Sequence, residues 1–227
     1  MRAALPVVAV ALALLAACGG SGTQRPVREA LPLMILQRED VPAPMRTLGG
    51  SFSTNEEAAS GLGSAPSAAQ LDQWGRILGY KEDFQLTDPP EDSAIVHITT
   101  SVSLYRTADG AASSFDDRVR AARAAKWAET YSNLEKLSQR EITRDLGVDG
   151  LLWLRFAGLQ ETQPGEFTLL TDDWVVFRVG RAWGFLEITS TAAPGVEDRD
   201  VLLGSVEVLV RKQIEHVKRV LEAGVSA

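Results

Sequence analysis

His97 and His216 are the only histidines in the chain. A zinc site needs several N, S or O ligands at close spacing, and neither histidine stands in an H-x₃-H or H-E-x-x-H frame. His216 reads as a residue flanking the apolar stripe of a C-terminal helix. The aspartate doublets Asp116-Asp117 and Asp172-Asp173 lack the EF-hand spacing and its glycine. They read as a solvated helix face and a hairpin end. There is no G-x-S-x-G elbow and no S-x-x-K arrangement in a fitting context. Ser101 and Ser103 share a strand face with His97, but same-face neighbours on a strand stand ~7 Å apart, too far for a direct hydrogen bond. Walker loops and G-x-G-x-x-G are absent, so nothing cradles a phosphate. No catalytic residue, metal ligand or cofactor is expected.

One constellation remains. Strand alternation puts Trp153 and Arg155 with Leu151, and Trp174 with Val176 and Arg178. It puts Trp183 with Phe185, Glu187 and Thr189, and His97 with Ser101 and Tyr105. Gathered on one side of a sheet, His97, Trp153, Arg155, Trp174, Arg178, Trp183 and Glu187 form the amphipathic lining of a ligand cleft. Arginine can also stack on tryptophan there. The complementary sets are Val96, Ile98, Val102 and Leu104, then Leu152, Leu154 and Phe156, then Val175 and Phe177. These are apolar and suit packing under helices. The alternative is that helices cover both faces and the Trp and Arg residues line a second core layer, with arginine stems on apolar surface. A one-residue slip of any strand exchanges its faces.

These residues need a sheet to hold them. Residues 93–106 alternate and are rich in β-branched side chains, which predicts a long strand. Further strands are expected near 139–146 with 150–159, then 167–179 and 182–191. Val179-Gly180-Arg181-Ala182 is a tight turn between the last two, and Pro164-Gly165 marks the turn before them. Helical spacing is present in 67–79, in the alanine-rich 107–138 and in 198–222. Residues 31–45 read as a short buried element leading into a proline turn, and 46–69, rich in Gly, Ser and Ala, as a mobile loop. The order is roughly α-β-α-β-β-β-α. It predicts an α+β fold: a mainly antiparallel sheet of about four to five strands with helices packed on it. Its layout, with Phe177-Arg178-Val179-Gly180 before a last strand, resembles the PsbP-like α/β/α sandwich. It also resembles sensor-type extracytoplasmic domains of bacterial lipoproteins and receptor kinases.

The N-terminal residues are of another kind. Arg2 is followed by an apolar run, residues 3–17, with neither charge nor polar side chain. That is shorter than the roughly 20 residues a bilayer-spanning helix needs, and it suits a secretory h-region. The run ends Leu15-Ala16-Ala17-Cys18, which resembles the lipobox of bacterial lipoproteins. That resemblance implies cleavage before Cys18 by signal peptidase II, a diacylglycerol on its sulfur and often a third acyl chain on its amino group. Two or more chains hold a protein stably at a membrane, where one binds marginally. The expected organisation is a signal peptide at 1–17, a lipid-anchored flexible tether at 18–30 and a single extracytoplasmic α+β domain at 31–227. Gly19-Gly20-Ser21-Gly22 supplies the tether's flexibility.

Composition bounds the partners. Of 227 residues, 45% are apolar and 23% charged, which excludes a disordered chain and a polytopic membrane protein. The formal charge is −7, and −8 once residues 1–17 are removed with Arg2. That charge argues against nucleic acid and against adhesion to anionic lipid, so the lipid on Cys18 would make the membrane attachment. A single cysteine precludes an intrachain disulfide. The leading expectation is a non-enzymatic lipoprotein facing the periplasm or the exterior. It would be held on the cell membrane, or on the outer membrane of a diderm host, and would bind a small ligand, a lipid-like molecule or an envelope protein. The alternatives are an assembly lipoprotein docking to an envelope complex and a hydrolase whose site is assembled only in space.

Overall fold

The long alternating segments pair into one antiparallel sheet. The computed structural model describes residues 25–60, 66–88, 94–193 and 200–226. The apolar leader and the lipobox Leu15-Ala16-Ala17-Cys18 lie outside the described residues. In chain order the elements are β1 (Arg25–Pro26), α1 (Val27–Ala30), a 3₁₀ turn (Leu31–Met34), β2 (Arg46–Ser53), α2 (Asn55–Ala59), α3 (Ala68–Gln73), β3 (Arg76–Gln85) and β4 (Ala94–Tyr105). There follow α4 (Ala108–Ala124), α5 (Trp127–Thr130), β5 (Leu134–Glu141), β6 (Gly150–Gln163), β7 (Glu166–Val179), β8 (Ala182–Ala192), α6 (Leu203–Ala223) and β9 (Val225–Ser226). Seven strands form the main sheet in the order β2-β3-β4-β8-β7-β6-β5, and β1 pairs in parallel with β9. The class is α+β.

Turn chemistry sets the register of the three long central strands. Val179 pairs with Ala182 across Gly180–Arg181, and Gly180 has φ +52°. Gln163 pairs with Glu166 across Pro164–Gly165, and Gly165 has φ +78°. Both glycines occupy left-handed backbone that a side chain would strain.

Helices cover the two faces unequally. On one face α6 lays down Val206, Leu209, Val210, Ile214, Val217 and Val220, all buried, beside the 3₁₀ turn. Gln213 interrupts this stripe, and both ends of its amide are hydrogen-bonded. Thr100 Oγ1 donates to its Oε1 at 2.9 Å, and its Nε2 donates to the Ser101 carbonyl at 2.9 Å. On the opposite face α4 sets Phe115 and Ala122 against Leu152, Leu154, Phe156, Trp174 and Val176. Thr107 caps α4 by accepting from the Gly110 amide at 3.0 Å.

Four expectations about elements are corrected. The sheet has seven strands rather than four to five, because β2 and β3 stand where a loop and a helix were expected; β5 starts inside the expected helix, ahead of the strand expected near 139–146. Helix 67–79 ends at α3, and Leu78 pairs with Leu104 in the sheet. Residues 46–53 are a strand despite Gly49-Gly50. A Cβ on Gly50 would lie 1.9 Å from the Tyr80 hydroxyl, so a side chain there would have to displace the Tyr80 ring that crosses over it. The 107–138 helix stops at Ala124, where Ala125 turns extended, and β5 begins ten residues on. Residues 18–24 of the expected tether lie outside the described residues, and residues 25–30 belong to the fold. Arg25–Pro26 pairs with Val225–Ser226, and Ala30 is fully buried in the main core.

Candidate functional site

The register lays the side chains of the α4 face out in rows across β3, β4, β8, β7 and β6. One row reads Gln85, His97, Thr189, Asp172, Phe156. The next reads Asp83, Thr99, Glu187, Trp174, Leu154, and the next Lys81, Ser101, Phe185, Val176, Leu152. The last reads Gly79, Ser103, Trp183, Arg178, Gly150. His97, Trp174, Arg178, Trp183 and Glu187 therefore share one face, as their alternation implied.

Trp153 and Arg155 do not. Trp153 pairs with Val175 and Arg155 with Asp173, which places both on the α6 face. The sets of β6 are exchanged relative to the expectation: Leu152, Leu154 and Phe156 lie under α4. The cause is register, because one residue of offset between β6 and β7 reverses every side chain of β6. Both displaced residues are buried. Trp153 Nε1 donates to Asp173 Oδ1 at 2.7 Å, and Arg155 Nη1 lies 3.4 Å from Asp173 Oδ2. The Asp172-Asp173 doublet is thus the middle of β7 rather than a hairpin end, and both carboxylates are buried.

The five residues that share the α4 face divide again. Over β6 and β7 the face is closed. Trp174 is buried, with Trp127 of α5 at 5.7 Å and Phe185 at 5.3 Å between ring centroids. At one end Tyr131 Oη donates to Asp172 Oδ2, and burial with the nearby Glu187 charge pushes the Asp172 pKa up to about 7. At the other end Arg178 turns to Asp149 at 3.4 Å and to the Gly180 carbonyl. It holds the hairpin end together.

Over β2, β3, β4 and β8 the same face is open. A cavity of about 360 Å³ lies there between α4 and Ala58, Pro66 and Leu71 of the α2 and α3 region. Trp183 and Phe185 form part of its floor, with Ser101 and Ser103. Of the seven expected ligand-face residues only Trp183 lines it. Glu187 sits one row away, His97 two rows away, and Trp174 lies beneath the cavity's arginine.

That arginine is Arg118. Its guanidinium carbon stands 4.8 Å from the Trp174 ring centroid and 5.9 Å from that of Phe185. Such stacking favours a cation and leaves the guanidinium edge free to donate. Its Nε is buried without a hydrogen-bond acceptor among the described residues. Burial pulls its pKa down, and the Glu187 charge acts in the opposite direction. Arg76 forms a second wall. It is buried, and it donates from Nε to Ser103 Oγ at 3.1 Å and from Nη2 to Ser53 Oγ at 2.8 Å. Nη1 donates to the Ser53 and Thr54 carbonyls and to Asn55 Oδ1. Every one of these acceptors is neutral. A third group is a closed polar triangle. Tyr105 Oη and Ser114 Oγ are 2.7 Å apart, and Trp183 Nε1 donates to Tyr105 Oη at 2.7 Å. It fixes the Trp183 ring at the cavity edge and ties α4 to the sheet.

Arg76, Lys81, Ser114, Asp117 and Arg118 were not anticipated as site residues. For the helical ones a signal existed. Ser114, Asp117, Arg118 and Ala121 follow the same 3/4 spacing as the apolar stripe Phe115, Val119, Ala122, offset by one residue. Arg76 gave no such signal, because its strand was read as helix. Among the described residues no group of three His, Cys, Asp or Glu side chains could hold a metal ion. His216 instead meets Asp40, with Nε2 2.8 Å from Oδ2.

No protein-family model matches the chain. No curated protein matches it either. Among solved structures it is similar to the extracellular domain of PknH from Mycobacterium tuberculosis, at TM-score 0.42 and 10% sequence identity. That likeness covers 88% of this chain and 98% of the other.

Proposed function

We propose that this chain is an exported, lipid-anchored domain that binds a small ligand in the cavity under α4 and does not turn it over. The observation that carries the binding reading is the cavity itself. About 360 Å³ is within the size range of small-ligand sites, and the lining mixes aromatic and aliphatic surface with a few converging polar groups. The Tyr105–Ser114–Trp183 triangle ties α4, one wall of the cavity, to the sheet that forms its floor. The anchor rests on the lipobox resemblance at Cys18. Among the described residues no helix is long and apolar enough to cross a membrane.

Two measurements test this reading. An organic extract of cell envelopes should raise the melting temperature of the wild-type protein. Ala121→Trp, which fills the cavity, should remove that rise. Equal shifts in both proteins, or none in wild type, would overturn the ligand reading. Membrane fractionation with mass spectrometry of the mature N-terminus tests the anchor. Cys18→Ala should release the protein from the membrane, and an unmodified cysteine in wild type would refute the lipid.

One observation favours docking to an envelope protein as a second reading. β2 is an edge strand whose first six residues are exposed, with Leu48 61% exposed. An edge of this kind can template pairing with another chain. Crosslinking through Leu48 to one dominant envelope protein would support that role.

A further inference from the structure

We infer that the cavity takes an organic anion: one carboxylate, phosphate or sulfonate group on an apolar body, with the acid group seated at Arg118. This rests on the ligand-binding reading above and names its chemistry.

Arg76, Lys81, Arg118 and Asp117 face the cavity. Lys81 is already paired with Asp83 at 3.0 Å, and Asp117 with Arg120 at 2.9 Å. The two guanidinium groups are left. Arg76 ends all its hydrogen bonds on neutral oxygens, so its charge stays uncancelled by contact. Arg118 has a buried Nε with no acceptor, and among the described residues no carboxylate forms an ion pair with it. Glu187 acts on Arg118 only through space, without an ion pair, and His97 and Lys81 also act on Glu187. Buried charge is costly unless paired, so the cavity holds a positive potential that an incoming acid would relieve.

Geometry adds direction. Stacking on Trp174 and Phe185 holds the Arg118 plane in place before any ligand arrives, so little side-chain freedom is lost on binding. A pre-set guanidinium suits the two oxygens of a carboxylate or phosphate. All three Arg76 nitrogens already donate to the protein and Glu57 reaches it only through space, so Arg76 contributes chiefly its field. The remaining surface is mainly apolar, with serine hydroxyls at Ser51, Ser53, Ser101, Ser103 and Ser114. Leu71, Ala58, Ala121 and Phe185 would cover the body of the ligand. A bare inorganic anion would leave that surface wet.

A matched pair of dyes tests this on the full-length protein. Anilinonaphthalene sulfonate and N-phenylnaphthylamine carry the same rings, and only the first carries a charge. The sulfonate should bind at least about tenfold more tightly, as expected for a charge-assisted contact. Arg118→Gln should erase that preference. Glu187→Gln, which removes the opposing acid, should strengthen binding of the sulfonate. Ala121→Trp should block both dyes. Octyl phosphate should displace the bound sulfonate better than dihexanoyl phosphatidylglycerol, which marks a soluble single-bodied anion. Stronger displacement by the two-chain lipid would overturn the small-ligand part of the inference. Equal affinity for the two dyes, or an Arg118→Gln variant that keeps the preference, would overturn the anion while the cavity reading stands. Failure of both dyes to bind wild type would overturn the cavity reading itself.

Discussion

Asp172 and Asp173 are neighbours in the chain and face opposite sides of the sheet. Asp172 accepts from Tyr131 on the α4 face, and Asp173 accepts from Trp153 and faces Arg155 on the α6 face. Burial raises the pKa of both. Their partners differ in charge, and so do the consequences.

Asp172 has no cation beside it. Its carboxyl ionises near 3.9 in an unfolded chain and at about 7 in the fold. The folded state therefore holds the proton more tightly than the unfolded state. This group's stabilisation is complete below about pH 4 and is lost as pH rises to about 7. Glu187, also raised by burial, acts with the same sign. Asp172→Asn keeps an acceptor for Tyr131 and removes the titration. The variant should melt higher than wild type at about pH 8, and the gap should close by about pH 4. Melting temperature against pH checks this, and parallel curves would refute it.

Asp173 is the opposite case. Removing its carboxylate strips Arg155 of a counter-charge at 1% exposure and leaves the Trp153 indole N–H without its acceptor. Breaking a buried ion pair by removing one partner typically costs about 3–5 kcal/mol. Asp173→Ala should lose that much in urea unfolding. A loss under about 1 kcal/mol would show that the pair carries little of the fold.

Two helical glycines should respond to alanine with opposite signs. A Cβ on Gly110, in the first turn of α4, would lie 1.9 Å from the Trp74 carbonyl oxygen, and that backbone cannot swing aside. Gly110→Ala should cost about 1–3 kcal/mol and shift Trp183 emission, because α4 carries the Ser114 hydroxyl beside that indole. Gly204, in α6, has nothing within 4 Å of its Cβ position. Gly204→Ala should add about 0.5 kcal/mol through the unfolded chain alone. Thermal unfolding of the two variants separates packing from backbone entropy.

The central strands were legible because alternation and turn glycines act locally. Residues 94–105, 166–179 and 182–192 fall within about one residue of the strands read from pattern. Ile77 and Leu78 were misread because their spacing from Leu71 and Trp74 also fits a helix. Gly75, at φ +73°, ends that helix and starts a strand. Five of the seven face residues were placed together because each strand keeps its own alternation. Trp153 and Arg155 were lost because register between strands is a long-range property. The cavity was mostly illegible. Its cations come from β3 and α4, and only the packed fold brings Arg76 and Arg118 to one hollow.

The β1–β9 pair has a mechanical consequence. The first described residue, Arg25, donates its backbone N–H to the Gly224 carbonyl at 3.2 Å, and Arg181 Nη2 holds the Val225 carbonyl at 2.5 Å. Residues 18–24 separate Cys18 from Arg25, at most ~25 Å of extended chain. Any tension on a lipid-bearing Cys18 would be spent first on a clasp of two residue pairs at the end of α6. The seven-stranded sheet and its cavity lie behind that fuse, so a pull on the N-terminal end of the domain would open the clasp before it loaded the cavity.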